Sequence, residues 1–265
     1  MIRSDHAPLY ARYRRGLDVV YGRRQDDGWR RLDAAPWAGG RPLDAWDPDA
    51  EVELLSPVVP SKVVCVGKNY LEHIKERVAG GSADVPDEPV LFLKPPSSII
   101  GPGNAIRIPP GVGRVDPEAE LAVVIGRRIS RVGEDEAMAA VWGFTCLNDV
   151  SAREQQRKDG QWTRAKGYDT FCPLGPRVVT GIDWRGIPVE CRVNGQVRQR
   201  ASTADMIFPV PRLVSFISRV MTLEPGDVIA TGTPAGVAPI LPGDVVEVEV
   251  GGVGVLRNPV EAAAP

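Results

Sequence analysis

Histidine is nearly absent from this chain: among 265 residues there are only His6 and His73. A metal centre built on several imidazoles is therefore excluded. The four cysteines, Cys65, Cys146, Cys172 and Cys191, are far apart and form no C-x-x-C pair. That removes zinc ribbons and dithiol redox motifs, and leaves free thiols in a reducing compartment as the simplest expectation. There is no excess of either charge, with 32 basic and 34 acidic side chains and a net charge of −2. Nucleic acid and anionic membranes are accordingly not expected as partners. No apolar run approaches the roughly 18 residues of a membrane span, and the first ten residues mix Arg, Asp, His and Pro in a way no signal peptide does. A cytoplasmic location is expected. Nucleotide and serine-hydrolase signatures are missing too: there is no G-x-x-x-x-G-K-[ST], no G-x-S-x-G, and GVGR (111–114) lacks the third glycine of a dinucleotide fingerprint.

Turn formers, by contrast, are abundant: 28 glycines and 25 prolines make up a fifth of the chain, against about one residue in eight ordinarily. They carry no collagen period and separate short apolar runs, so many short strands and tight turns are expected. Residues 1–57 read as a small β-rich domain. ARYR, LDVVYG and GWRRLD are its strands, Asp26-Asp27-Gly28 is a hairpin turn, and 35–50 is an irregular connection. The cluster Arg12, Arg14, Arg15, Arg23, Arg24, Arg30 and Arg31 is interleaved with Asp18, Asp26 and Asp27, which reads as a solvated face.

Residues 58–265 form the main unit. SKVVCVG, VLFLKP, AIRIP, ELAVVIG, DVIATG and DVVEVEV read as strands, and ELAVVIG is apolar on both faces. Helical spacing covers NYLEHIKERVAGG up to Gly80-Gly81, EDEAMAAVWGF, and 211–221. Ser151 with Glu154 three residues later has the capping-box pattern, placing a helix start near Ala152. Strands outnumber helices, so the class is α+β, mostly β.

Glu118 and Glu120 alternate at the start of ELAVVIG, so both carboxylates share the face that continues through Ala122 and Val124. Two carboxylates turned inward raise one another's pKa unless a cation sits between them; by itself, E-x-E is more often an ordinary surface pair. Asp149 follows the apolar TCLN segment, where helix capping is its usual role. Taken together the three make an all-oxygen ligand set suited to Mg²⁺ or Mn²⁺, with Ca²⁺ also compatible. His73 and Glu76 are one helical turn apart, the arrangement that orients an imidazole as a general base, although a surface pair is commoner. Lys166, between a loop and a strand, is of the type that stabilises a developing oxyanion. The TGTPAG loop (231–236) offers backbone N–H groups and hydroxyls to a carboxylate.

The ordered blocks SPVVPSKVVCVGKNYLEH, FLKPPSSIIGPG, EAELAVVIG, NDVSAREQQ, GQWTRAKGYDTFCPLGP, PGDVIATGTPAGV and GDVVEVEVGGVGVLRNPV resemble the fumarylacetoacetate hydrolase family. The resemblance runs from about Ser56 to Val260, and 1–55 is similar to the short N-terminal domain of bacterial members. It implies a mixed β-sandwich roll, usually a homodimer, and cation ligation by Glu118, Glu120 and Asp149. It further implies that Lys166 and Gln156 reach substrate, that Thr233 lies on the substrate carboxylate, and that His73 and Glu76 form a dyad on a lid spanning 69–85. Ala119 departs from the family's usual E-G-E triplet. The implied substrate is a small 2-oxo or enol carboxylate. The first-choice reaction is C–C hydrolysis of an acylpyruvate-type 2,4-dioxo acid through a metal-stabilised enolate, because the His–Glu dyad is complete. Isomerisation or decarboxylation of 2-hydroxy-diene-dioates or oxaloacetate is the runner-up, and a non-catalytic metal- or ligand-binding homologue the alternative of another class.

Overall fold

A computed structural model describes residues 7–77 and 84–264. The first strands are β1 (Leu9–Arg15), β2 (Asp18–Gln25), β3 (Gly28–Leu32), β4 (Pro42–Pro48) and the short β5 (Glu53–Leu54). Next come β6 (Val63–Gly67), α1 (Leu71–Arg77), β7 (Val90–Lys94), β8 (Ile99–Ile100), β9 (Ile106–Ile108), β10 (Val115–Asp116) and β11 (Ala119–Ile125). Helix α2 (Glu134–Ala140) leads into β12 (Val141–Asn148), followed by β13 (Ser151–Ala152), α3 (Arg153–Asp159), α4 (Thr163–Lys166) and β14 (Cys172–Val179). The chain closes with β15 (Pro188–Val193), β16 (Gln196–Ser202), α5 (Val210–Val220), β17 (Val228–Ala230), β18 (Val245–Val250) and β19 (Gly254–Ala262). The mostly-β expectation holds.

A long sheet runs β4-β3-β2-β1-β14-β12-β11-β17-β6-β7, with β5 paired to β1 and β8 to β14. The N-terminal strands join it because β1 pairs antiparallel with β14, Leu9 opposite Val179. A second sheet, β16-β15-β18-β19-β9, packs on one face of the long one.

Strand β11 shows why the two layers form. All seven of its residues are buried. Ala119, Leu121, Val123 and Ile125 point into the main core, which also holds Val189, Val246, Val248 and Leu256 of the second sheet. Ala122 and Val124 point to the opposite face, into a smaller core with Val63, Cys65, Leu147 and Cys172. A strand buried on both faces has no polar side to mark it, as its continuous apolar sequence indicates. Glu118 and Glu120 share the parity of Ala122 and Val124, so they open onto this second face.

Four local expectations are corrected. The helix expected over EDEAMAAVWGF ends at Ala140, and Val141–Phe144 instead open β12, paired with β11. Within 35–50, the stretch Pro42–Pro48 is a strand paired with β3, not an irregular connection; cross-strand pairing overrides its turn-rich composition. Ser151 does not cap α3: Ala152 is the N-cap without a side-chain bond, and the Ser151 hydroxyl donates to the Asp149 carbonyl (2.9 Å). Lys166 ends a short helix and does not lie between a loop and a strand. The Asp26-Asp27 hairpin turn is present, with Gln25 opposite Gly28. The expected helix end at Gly80-Gly81 and part of the 69–85 lid lie outside the described residues.

Most of the arginine cluster is paired with acids other than the interleaved Asp26 and Asp27. Arg14 pairs with Glu53, Arg24 with Asp49 and Arg30 with Asp44, while Arg15 and Arg31 converge on buried Asp47, which also accepts from the Tyr13 hydroxyl. All four cysteines are free and buried, and desolvation pushes the thiols of Cys146, Cys172 and Cys191 up to about 12. Among the described residues no helix is long and apolar enough to cross a membrane.

Candidate functional site

The site is built where β11 begins, β12 ends and β17 gives way to its loop. Antiparallel register sets Ala119 opposite Asn148, so the residues just outside that pair, Glu118 and Asp149, face each other. Their backbones join through Asp149 N–H to Glu118 carbonyl (2.9 Å), and the Asn148 side chain accepts from Glu118 N–H (3.0 Å). Glu120 lies one residue pair further in. Carboxylate oxygens of Glu118, Glu120 and Asp149 come within 4.8 Å of one another, and all three residues are buried.

Three buried cations surround this cluster. Lys166 Nζ donates to Glu118 Oε2 (2.7 Å) and Asp149 Oδ2 (2.5 Å). Lys94, at the end of β7, donates to Asp149 Oδ1 (2.6 Å) and to the Val150 carbonyl (3.2 Å). Arg153 holds Glu118 Oε1 and Asp116 Oδ2, each at 2.7 Å, and donates to Gln156 Oε1 (3.1 Å). Among the described residues Glu120 forms no ion pair; its Oε2 accepts the Gly232 N–H (2.7 Å). That bond requires a close backbone approach, because Gly232 has φ +99° and a Cβ there would meet Asn69 Cβ at 2.7 Å.

The charges divide accordingly. Burial raises Glu118, but the Lys166 and Arg153 charges outweigh it and hold the carboxyl well below its usual range. Burial raises Glu120 as well, and the charges of Asp149 and Glu118 add to it, so it lies well above. Desolvation lowers Lys166, yet Asp149 and Glu118 more than offset it and keep the ammonium charged. One carboxylate without a counter-charge, next to two that have one, is the environment a hard divalent cation fits. The all-oxygen donor set suits Mg²⁺, Mn²⁺ or Ca²⁺, which Glu118, Glu120 and Asp149 would hold.

Glu118, Glu120, Asp149 and Lys166 line a cavity of about 220 Å³ together with His73, Gln156 and Thr233, and with Val66, Ile74, Phe92 and Trp162 as apolar wall. His73 is buried on α1 with Nδ1 3.4 Å from Glu76 Oε2, too long for a closed hydrogen bond. Glu76 also accepts from Gly236 N–H (3.1 Å). Burial raises its carboxyl, but His73 and that backbone donor outweigh this and hold it below its usual value. The Thr233 hydroxyl is already engaged, donating to the Ala119 carbonyl (2.9 Å) and accepting from Gln199 Nε2 (2.8 Å).

The eight residues singled out from the sequence therefore converge, with Glu76 bonded to the 231–236 loop at the edge of the cavity. The sequence reading missed Lys94, Arg153 and Asn69. Lys94 was detectable as the one charge closing the apolar run VLFLK. Arg153 and Asn69 gave no such signal; the Asn69 amide donates to the Phe208 and Thr231 carbonyls and accepts from the Phe208 N–H (2.7–3.0 Å), tying these segments together beside Gly232.

The sequence matches the fumarylacetoacetate hydrolase C-terminal family over residues 62–261, and an Rv2993c-like N-terminal family over 9–57. It is 46% identical over 226 residues to the human mitochondrial oxaloacetate tautomerase FAHD2A, covering 80% of this chain and 71% of that one. The structure resembles 5-carboxymethyl-2-hydroxymuconate delta-isomerase from Mycobacterium smegmatis, with TM-score 0.89 and 44% identity over 96% of this chain and 100% of that one. Maleylpyruvate hydrolase from Sphingobium sp. SYK-6, in complex with manganese(II) and pyruvate, superposes with TM-score 0.78 at 29% identity, covering 97% and 100%. The chain belongs to the fumarylacetoacetate hydrolase family.

Proposed function

We propose that the site transfers a proton between the keto and enol forms of a small 2-oxo carboxylate, with isomerisation of a 2-hydroxy-diene acid as the vinylogous version of the same step. The observation that carries this reading is the juxtaposition, in one buried cavity, of a three-carboxylate cation site, the charged Lys166 and the His73 imidazole. A bound Mg²⁺ or Mn²⁺ would supply Lewis-acid polarisation of the 2-oxo group.

The remaining work falls to the chain's own groups. Lys166 Nζ, held charged, donates to the oxygen on which negative charge develops. With His73 Nδ1 turned to Glu76, Nε2 is the nitrogen left to take the C3 proton and return it. Glu76 remains a carboxylate and favours the imidazolium that forms. Val66, Phe92 and Trp162 exclude water, so these interactions act in a low dielectric.

C–C hydrolysis, the first choice from sequence, is retained as the second reading because the complete His73–Glu76 pair can also activate a water. Proton transfer ranks first because it needs one acid–base group and no water nucleophile, and because the relatives at 44% and 46% identity carry the names isomerase and tautomerase. The test is deuterium exchange at C3 of oxaloacetate and 2-oxobutanoate, followed by NMR with Mg²⁺ present, alongside product analysis with an acylpyruvate. Exchange accelerated well beyond buffer supports proton transfer. Cleavage of the acylpyruvate without accelerated exchange would put hydrolysis first.

A further inference from the structure

We infer that Thr170 is a positioning residue for Lys166: its hydroxyl pins the turn that follows the lysine and so fixes where the ammonium points. This rests on the role given to Lys166 above and deepens it. Thr170 belongs to the turn Tyr168–Phe171, closed by the Phe171 N–H donating to the Tyr168 carbonyl (3.1 Å). Its φ is +70°, and within this turn no other residue has a positive φ. A left-handed backbone confined to the third position marks a type II turn, where glycine or asparagine belongs. A β-branched side chain crowds the backbone there, so the turn by itself does not call for threonine.

What threonine adds is a hydroxyl. Thr170 Oγ1 accepts the Arg107 N–H of β9 (2.8 Å). Packing does not enforce the conformation, because Thr170 is only half-buried, Asp169 is exposed, and the outer side of the turn lies along an open groove with Arg107, Pro109 and Ala263. Strain of this kind persists where the surroundings hold it, and it clusters at functional sites.

The path from this turn to the site is short. Gly167 is wedged in place, since a Cβ there would meet the Thr163 carbonyl at 2.6 Å and Pro95 Cδ at 3.2 Å. At the far end of the turn, the carbonyl of buried Phe171 accepts the Val150 N–H (3.1 Å), one residue after Asp149. Residues 167–171 thus tie the end of α4, which carries Lys166, to the segment that carries Asp149. The Thr170 hydroxyl fastens that tie to the second sheet through β9. Glu118 and Asp149 hold Lys166 Nζ directly (2.7 and 2.5 Å). Once their charge is shared with a cation that grip weakens, and the anchoring of the backbone decides the direction of the ammonium.

The test uses the full chain with Mg²⁺ and three variants. Thr170→Val removes the hydroxyl and keeps the branch, Thr170→Gly removes both the hydroxyl and the strain, and Thr170→Ser keeps the hydroxyl. One readout is the rate at which acetic anhydride labels Lys166 relative to the exposed Lys158, followed by mass spectrometry. The other is C3 proton exchange of oxaloacetate, followed by NMR. The valine and glycine variants should raise Lys166 labelling about fivefold or more and lower the maximal exchange rate about tenfold or more, with Mg²⁺ Kd and substrate KM within about threefold of wild type. The serine variant should stay within about twofold of wild type in both. In the glycine variant the lost bond and the relieved strain oppose each other, so its Tm should stay within about 4 °C of wild type, which keeps the test decisive if the valine protein fails to fold. Unchanged Lys166 labelling in the glycine variant overturns the assignment, as does a serine variant that loses as much as the glycine one. Altered labelling with no C3 exchange even in wild type would sustain the role of Thr170 and remove the proposed reaction; exchange in wild type with unaltered labelling would do the reverse.

Discussion

Lys94→Met offers the sharpest test of how the carboxylate cluster is held. Methionine matches the unbranched stem, so packing beside Asp149 is largely retained while the ammonium is lost. Two hydrogen bonds disappear: a charged one to Asp149 Oδ1 (2.6 Å) and one to the Val150 carbonyl (3.2 Å). The first is worth about 1.5–3 kcal/mol and the second about 1 kcal/mol, and breaking one side of a buried pair costs roughly 3–5 kcal/mol. Asp149 keeps Lys166 on its other oxygen, which places the expected loss near the lower end, about 3 kcal/mol. For a chain of this size that is a fall in Tm of roughly 6–12 °C, read by calorimetry or urea denaturation. The double variant with Asp149→Asn should recover part of it, giving a coupling energy of about 2 kcal/mol in the mutant cycle. A Lys94→Met protein within about 0.5 kcal/mol of wild type would refute the reasoning.

Glu120→Gln should abolish Mg²⁺ binding in titration calorimetry yet leave or raise Tm without added metal, because the amide removes the repulsion from Glu118 and Asp149; retained affinity would defeat the ligand assignment. His73→Ala should reduce C3 exchange about 10²-fold or more while Mg²⁺ affinity stays within threefold of wild type; undiminished exchange would remove His73 as the base. Burial pushes the Asp47 carboxyl up, but bonds from Arg31, Tyr13 and Arg15 outweigh it and hold the group below its ordinary 3.8. Its stabilisation is therefore fully present above that value and lost as pH falls through the lower folded pKa. Asp47→Asn should lower Tm at pH 7, with the gap to wild type narrowing below about pH 4; a gap independent of pH would contradict the assignment.

Much of the site was legible because it depends on local periodicity. Alternation in Glu118-Ala119-Glu120 put two carboxylates on one face, and the i,i+3 spacing put His73 beside Glu76. What periodicity could not supply was register. Nothing in the sequence says that Asn148 pairs with Ala119, yet that pairing brings Asp149 to Glu118. The turn-rich stretch Pro42–Pro48 looked irregular for a similar reason: it becomes a strand only because β3 offers it an edge.

The amino-acid sequence alone determined which residues are available for chemistry: two histidines, an unpaired E-x-E, a lysine in an aromatic segment, and no fingerprint for nucleotides. It also determined that strands dominate, since short apolar runs between turns bury their side chains most effectively as sheets. Only the tertiary structure decided how the charges are shared. Lys94, Arg153 and Lys166 come from three separate elements, and whether each meets Asp149 or Glu118 depends on non-local packing. That packing leaves Glu120 without an ion pair among the described residues, because electrostatic pairing follows distance in space and not separation along the chain.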